Sequence, residues 1–409
     1  MLNRRNALLA GAAGLLAPAW AQKTPRPQLA TTAAFDPAGR LWLAGLDRAG
    51  RLRLRQGAGP LEEGQGLDVG EDRVAADGEA TPRLLFGADG LVLLSYVRAG
   101  LKPYTGDVRL LRSVDGGARF AAAVTVHQDR QPITHRFQAM AFDGKGNLHL
   151  AWIDKRDLEA AKAAGQPYRG AAVYRNVSTD GGASFGPDIK LADHACECCR
   201  IAFSPAADGR LAALWRHVFE PDERPQADAA RRPPPEGVSK LGSGPSFAHE
   251  RDHAFAWLDG SAPVRASLDR WAIDACPHHG PGLAAAADGG WHACWYGQRA
   301  GEPAVRLGRL DESGRPTDRL HDTPRALPEA EHADLISAGR RVALVWRQFD
   351  GRQTRLQALV SKDDGRRWQA LELAQSPHPN DHPRLLRHGE QLWAVWRDTQ
   401  GVRVLEVHA

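Results

Sequence analysis

Three cysteines stand almost side by side in Cys196-Glu197-Cys198-Cys199, just after His194. Further along, Cys276 is followed by His278 and His279, and then by His292 and Cys294. The five cysteines therefore fall in two neighbouring stretches, which scattered core cysteines would not do. Thiolate and imidazole donors at such short range suit copper or zinc, and a thiol-rich set suits copper(I). His194, Cys196, Cys198, Cys199, Cys276, His278, His279 and Cys294 are the candidate ligands of that ion. Disulfide bonding is the competing reading, the default in an oxidising compartment, and an odd count leaves one thiol over. A labile redox pair is the third, and it needs a lowered thiol pKa.

A second group of side chains could bind an anion. Arg83, Arg136, Arg200 and Arg384 stand at the starts of apolar segments, and a planar guanidinium grips a carboxylate through two hydrogen bonds. His135, His332 and His382 follow one another at matching places (Thr-His-Arg, Glu-His-Ala-Asp, Asp-His-Pro-Arg). Three imidazoles around one opening could hold a metal or an anion; singly, each would fix the top of a strand by hydrogen bonding. Tyr296 and Asp154 complete this candidate site for a small acidic molecule. Pairing of the arginines with Asp154, Asp350 and Asp398 is the plainer fate of such mixed charge. No glycine-rich phosphate loop and no serine nucleophile elbow occurs, so nucleotide binding and serine hydrolysis have no support.

The elements that must position these residues are strands. An apolar strand, a Gly-containing turn and a second strand often ending in Trp plus a charged residue recur seven times. The copies run from Leu29 to Leu46, Pro82 to Val97, Arg136 to Asp154, Arg200 to Arg216, Gly280 to Tyr296, Ala333 to Arg347 and Pro383 to Arg397. Their spacing is that of one four-stranded propeller blade per repeat. Three segments share Ser-x-Asp-x-Gly-x-x-aromatic: Ser113 to Phe120, Ser178 to Phe185 and Ser361 to Trp368. The carboxylate accepts backbone N–H groups, the glycine takes φ > 0, and the aromatic anchors the corner. If these corners join third and fourth strands, they share a face with the turns joining first and second strands. First-strand starts and second-strand ends then meet on the opposite face, where the Cys, His and Arg residues named above converge on the channel mouth. The last copy leaves room for one more strand, Arg403 to His408, so the ring is expected to close with a strand from before Leu29.

Residues 1–21 read as a secretory signal: Arg4 and Arg5, an apolar stretch from Ala7 to Ala17, and Ala19-Trp20-Ala21 before a cut at Gln22. The paired arginines also suit twin-arginine export. Residues 22–409 form one propeller domain, with a Pro-rich insertion at about 219–253 that is either a loop or a lid. No apolar window is long enough to span a bilayer. With 53 basic and 49 acidic residues mixed along the chain, no nucleic-acid surface is indicated.

On these corners the sequence resembles the sialidase-like, BNR or Asp-box repeat superfamily of β-propellers. The resemblance implies an all-β fold of four-stranded antiparallel blades, seven by the repeat count and six by the habit of that family. It also implies, as an alternative function, an exo-sialidase-type glycoside hydrolase acting on an acidic sugar. The Phe-Arg-Ile-Pro segment of such enzymes is missing, and Tyr296 has no nearby Glu in sequence. The leading expectation is a periplasmic or secreted propeller that binds a small molecule, an acidic sugar or a copper or zinc ion at a Cys/His/Arg face. A protein-binding scaffold is a further alternative, its partner unspecified.

Overall fold

The computed structural model describes residues 29–220, 249–273, 277–317 and 325–408. The signal segment, most of the Pro-rich insertion, Cys276 and the stretch expected to close the ring lie outside them. The described strands group into seven up-and-down antiparallel units. Their first strands are Thr31–Phe35, Arg83–Phe86, His135–Phe142, Ala202–Pro205, Gly282–Ala285, Ala330–Ala338 and Arg384–His388. Each first strand packs against the first strand of the next unit, and the last packs against the first, so the inner strands make a closed cycle. The third and fourth units join into one sheet where Ala195 pairs with His217. The final unit has three described strands.

Apolar residues on both faces of the second strands explain this stacking. Leu148–Asp154 is buried at every position, and Leu41–Leu46 at all but one. Each pair of neighbouring sheets encloses an apolar cluster. Trp152 packs with Leu93 and Leu110, Trp215 with Ala139 and Ile153, Trp291 with Leu214 and Phe255, and Trp396 with Val345 and Leu356. The cluster of Ala33, Leu43, Leu61 and Val395 seals the last unit onto the first. Burying each such Trp or Leu side chain stabilises the ring by roughly 1.5–3 kcal/mol.

The Ser-x-Asp-x-Gly corners do what their residue types predict. Ser113 Oγ donates to Asp115 at 2.7 Å and accepts the Gly117 N–H at 3.0 Å, and Gly117 has φ of +90°. The Ser178 and Ser361 corners repeat this pattern. Gly116 donates to the Gly90 carbonyl at 2.9 Å, which puts the corner beside a turn between first and second strands. The opposite face carries one short helix, Arg156–Ala163. The end of the supposed insertion is strand: Glu250–Trp257 pairs along Leu211–Phe219 and is buried at six of its eight positions, Asp252 and His253 included.

Candidate functional site

At the channel mouth the organising residue is Glu79. Asp77 accepts the N–H groups of Glu79 and Ala80, both at 2.8 Å, and this Asx-type turn swings the Glu79 side chain inward. Glu79 is 1% exposed. One oxygen accepts Arg200 Nη1 at 3.0 Å; the other accepts the Gly280 N–H at 2.8 Å and the Arg200 N–H at 3.3 Å. A Cβ on Gly280 would lie 2.5 Å from Glu79 Oε2 and 2.2 Å from Arg200 Cγ, so only glycine fits. Burial opposes the charge on Glu79, but the Arg200 guanidinium above all outweighs it and holds the carboxyl well below its usual range.

Nδ1 of His382 and Nδ1 of His332 lie 3.2 and 3.5 Å from Glu79 Oε1, yet neither is aligned as a hydrogen bond. The two rings stack at 3.4 Å, His279 stacks on His332 at 4.0 Å, and Tyr296 covers His279 at 4.3 Å. Burial pushes all three imidazoles down, His279 to about 4, so the column is neutral at pH 7. His332 itself takes φ of +51° in a bulge of its strand between Glu331 and Asp334, which re-aims the ring into the channel.

Three arginines share this space. Arg200 is spoken for by Glu79, with Asp334 at 3.8 Å. Arg384 donates to the Gly78 carbonyl and Arg83 to the Gln138 carbonyl, both neutral acceptors. Burial first, and then the charges of Arg384 and Arg200, bring Arg83 down to about 9. Burial and Arg200 also lower Arg384. A cavity of about 750 Å³ opens beside the histidine column, lined by Asp77, Gly78, His332, Arg347, Asp381 and His382 among others; the three arginines lie behind its wall rather than in it.

The thiols form a second group next door. Cys196, Cys198 and Cys199 occupy the turn between Ile189–Ala195 and Ala202–Pro205. Their sulfurs lie 3.6 Å apart for Cys196 and Cys198 and 3.7 Å for Cys198 and Cys199, and all three fall within 4.8 Å of one another. No two described sulfurs are at bonding distance. Cys294 lies outside this group, in the apolar cluster of Val305, Leu307 and Leu335. His194 lies tilted against Tyr168 with ring centroids 4.7 Å apart, and His278 is exposed; neither belongs to the thiol group. Cys276 is outside the described residues.

His135 does not join His332 and His382. Its ring stacks on His127 at 3.9 Å, with Asp107, Asp129 and Asp154 around it at 3.6, 3.2 and 3.7 Å. Asp154 is taken by Trp152 and Arg156, at 2.8 and 2.7 Å, and Arg136 is taken by Asp77 at 3.0 Å. Of the expected mouth residues, the structure therefore gathers Arg83, Arg200, Arg384, His279, Tyr296, His332 and His382, keeps Arg136 at the edge on Asp77, and sends His135 and Asp154 elsewhere. Glu79, Gly280, Asp107 and His127 are site residues that the sequence reading missed. The one signal for Glu79 was a charge inside the small-residue run before a first strand.

No family model and no curated protein matches the sequence. Among solved structures, an ulvan lyase of polysaccharide lyase family PL25 is similar over 92% of this chain and 89% of its own, at 11% identity and a TM-score of 0.50. The Hadza microbial sialidase Hz136 is similar over 87% of this chain and 73% of its own, with 15% identity and a TM-score of 0.48. The Penicillium chrysogenum α-L-arabinanase matches 82% and 94%, with 13% identity and a TM-score of 0.46. At such identities the likeness to the lyase is one of fold. Sheet order, inner cycle and the Ser-x-Asp-x-Gly corners agree with it: the chain has the fold of a β-propeller. No described helix is long and apolar enough to cross a membrane.

Proposed function

We propose that this chain is an exported propeller that binds an acidic small molecule, an acidic sugar foremost, at the arginine-lined mouth of its channel. One observation carries the reading: Arg83 and Arg384 come together with Arg200 at the channel mouth, where burial and the neighbouring guanidiniums disfavour the charge of Arg83. Glu79 and Asp334 both lie against Arg200, so no carboxylate stands at ion-pair distance from Arg83 or Arg384 among the described residues. Arg83 and Arg384 bond neutral carbonyls, which leaves their charge for an incoming carboxylate. The adjoining cavity, about 750 Å³, is of the size that small-molecule sites have.

The site is read as a binding site, with glycoside hydrolysis as the alternative that a turnover assay decides. Calorimetric titration of the folded chain with sialic acid, a uronate and a neutral sugar of equal size tests the binding. The acidic sugars should bind, more weakly at high salt, and Arg384→Gln should weaken them on the order of 10-fold or more. Equal affinity for the neutral sugar, or no binding of either acid, would count against the proposal. A fluorogenic sialoside run in parallel separates binding from cleavage.

A further inference from the structure

The three-thiol turn lies beside the arginine mouth and has no part in the reading above. We propose that Cys196, Cys198 and Cys199 together hold one soft metal ion, copper(I) in preference to zinc. Their side chains are 1%, 4% and 2% exposed. A disulfide needs sulfurs about 2 Å apart, whereas these stand 3.6 and 3.7 Å apart. Three sulfurs bound to one ion at about 2.3 Å are separated by about 3.8–4.0 Å. The turn thus already holds the sulfurs near the spacing that a shared ion imposes.

Local sequence explains the convergence. The Cys196 N–H donates to the Arg216 carbonyl at 2.9 Å, which pins the start of the turn. Glu197 points the other way and pairs with Lys155. Its neighbours on either side therefore face inward. Thiolates without competing hard oxygen donors select copper(I) and zinc from the common ions.

Softness separates these two ions. A donor set made of sulfur alone favours the softer copper(I) over zinc(II), and Arg251 Nη1, 3.4 Å from Cys196 Sγ, stands against the cluster as a counter-charge to its thiolates.

The test uses the full chain, reduced and anaerobic. Copper(I) is titrated against a colorimetric copper(I) chelator, and zinc(II) against a zinc indicator. One copper(I) per chain should be retained, with sulfur neighbours at about 2.2–2.3 Å by X-ray absorption. Cys198→Ser should weaken copper(I) by on the order of 100-fold or more, since even outer partners of a metal site cost 10–100-fold. Cys294→Ala should leave it unchanged. X-ray absorption on the unaltered chain keeps the test decisive if Cys198→Ser folds poorly. No retained copper, zinc held more tightly than copper(I), or an equal loss in Cys294→Ala would overturn the proposal. So would thiol counting that finds two of the three sulfurs joined in the isolated protein.

Discussion

Replacing Glu79 by Gln removes one charge from a pair that spans the channel while leaving the shape of the side chain intact. Arg200, 3% exposed, would keep its charge and lose its carboxylate at 3.0 Å. Breaking a buried pair by removing one partner costs about 3–5 kcal/mol. Unfolding entropy of about 2.1 cal/mol/K per residue over 409 residues gives about 0.9 kcal/mol/K. The apparent midpoint of thermal unfolding should therefore fall by about 3–6 °C at pH 7. The pH dependence has a definite sign. Glu79 is depressed in the folded state from an ordinary value of 4.5, so its contribution is full above that value and disappears as pH falls through the folded one. The gap between Glu79→Gln and the natural chain should be constant from pH 7 down to about 5 and then close. Scanning fluorimetry across that range reads both quantities, with the half-exposed Glu62→Gln as control. A gap below about 1 °C at pH 7, or one that widens on acidification, would refute the reasoning.

Gly280→Ala should damage the same pair from the other side, since the new methyl group would sit 2.2 Å from Arg200 Cγ. Combined with Glu79→Gln, its loss of midpoint should be well short of additive. His279→Asn should flatten the acid limb: burial keeps His279 at about 4 against an ordinary 6.5. The natural chain accordingly loses stability as pH falls between those values, and denaturant melts at pH 7 and 5 would show a smaller loss in the variant. Ser178→Ala strands the buried Gly182 N–H, which Ser178 Oγ accepts at 2.8 Å, and should cost about 1–3 kcal/mol. Calorimetry of that variant should find acidic-sugar binding unchanged, because the corner lies on the face away from the mouth.

The corners and inner strands were legible because local chemistry dictates them: a Ser, an Asp and a Gly at fixed spacing have few other uses. The mouth was half legible. His135, His332 and His382 look equivalent in sequence, but strand register makes them different. The bulge with a left-handed residue falls on His332 itself in one unit and on Phe137, two residues after His135, in another. His135 consequently stays in register opposite Asp154, while His332 is turned into the channel. Glu79 was illegible for another reason. Its partners Arg200, Gly280, His332 and His382 come from four different units, and no short spacing in the chain records that meeting.

The mouth has a second task that limits what its charges can do for a ligand. The last unit holds three described strands, and polar side chains help fasten it to the first. Arg397 donates to the carbonyls of Leu46 at 2.7 Å and Leu29 at 3.1 Å, and Asp381 accepts the Thr31 N–H at 2.7 Å. Asp334 likewise accepts the Leu385 N–H at 2.8 Å, tying the sixth unit to the seventh. Each of these groups is committed to holding neighbours together, as Glu79 and Arg200 are across the channel. Arg83 and Arg384 also bond carbonyls of other units, but no carboxylate lies at ion-pair distance from either among the described residues. Their charge is therefore less closely balanced than that of Arg200, and it is this charge that the proposed acidic ligand would use.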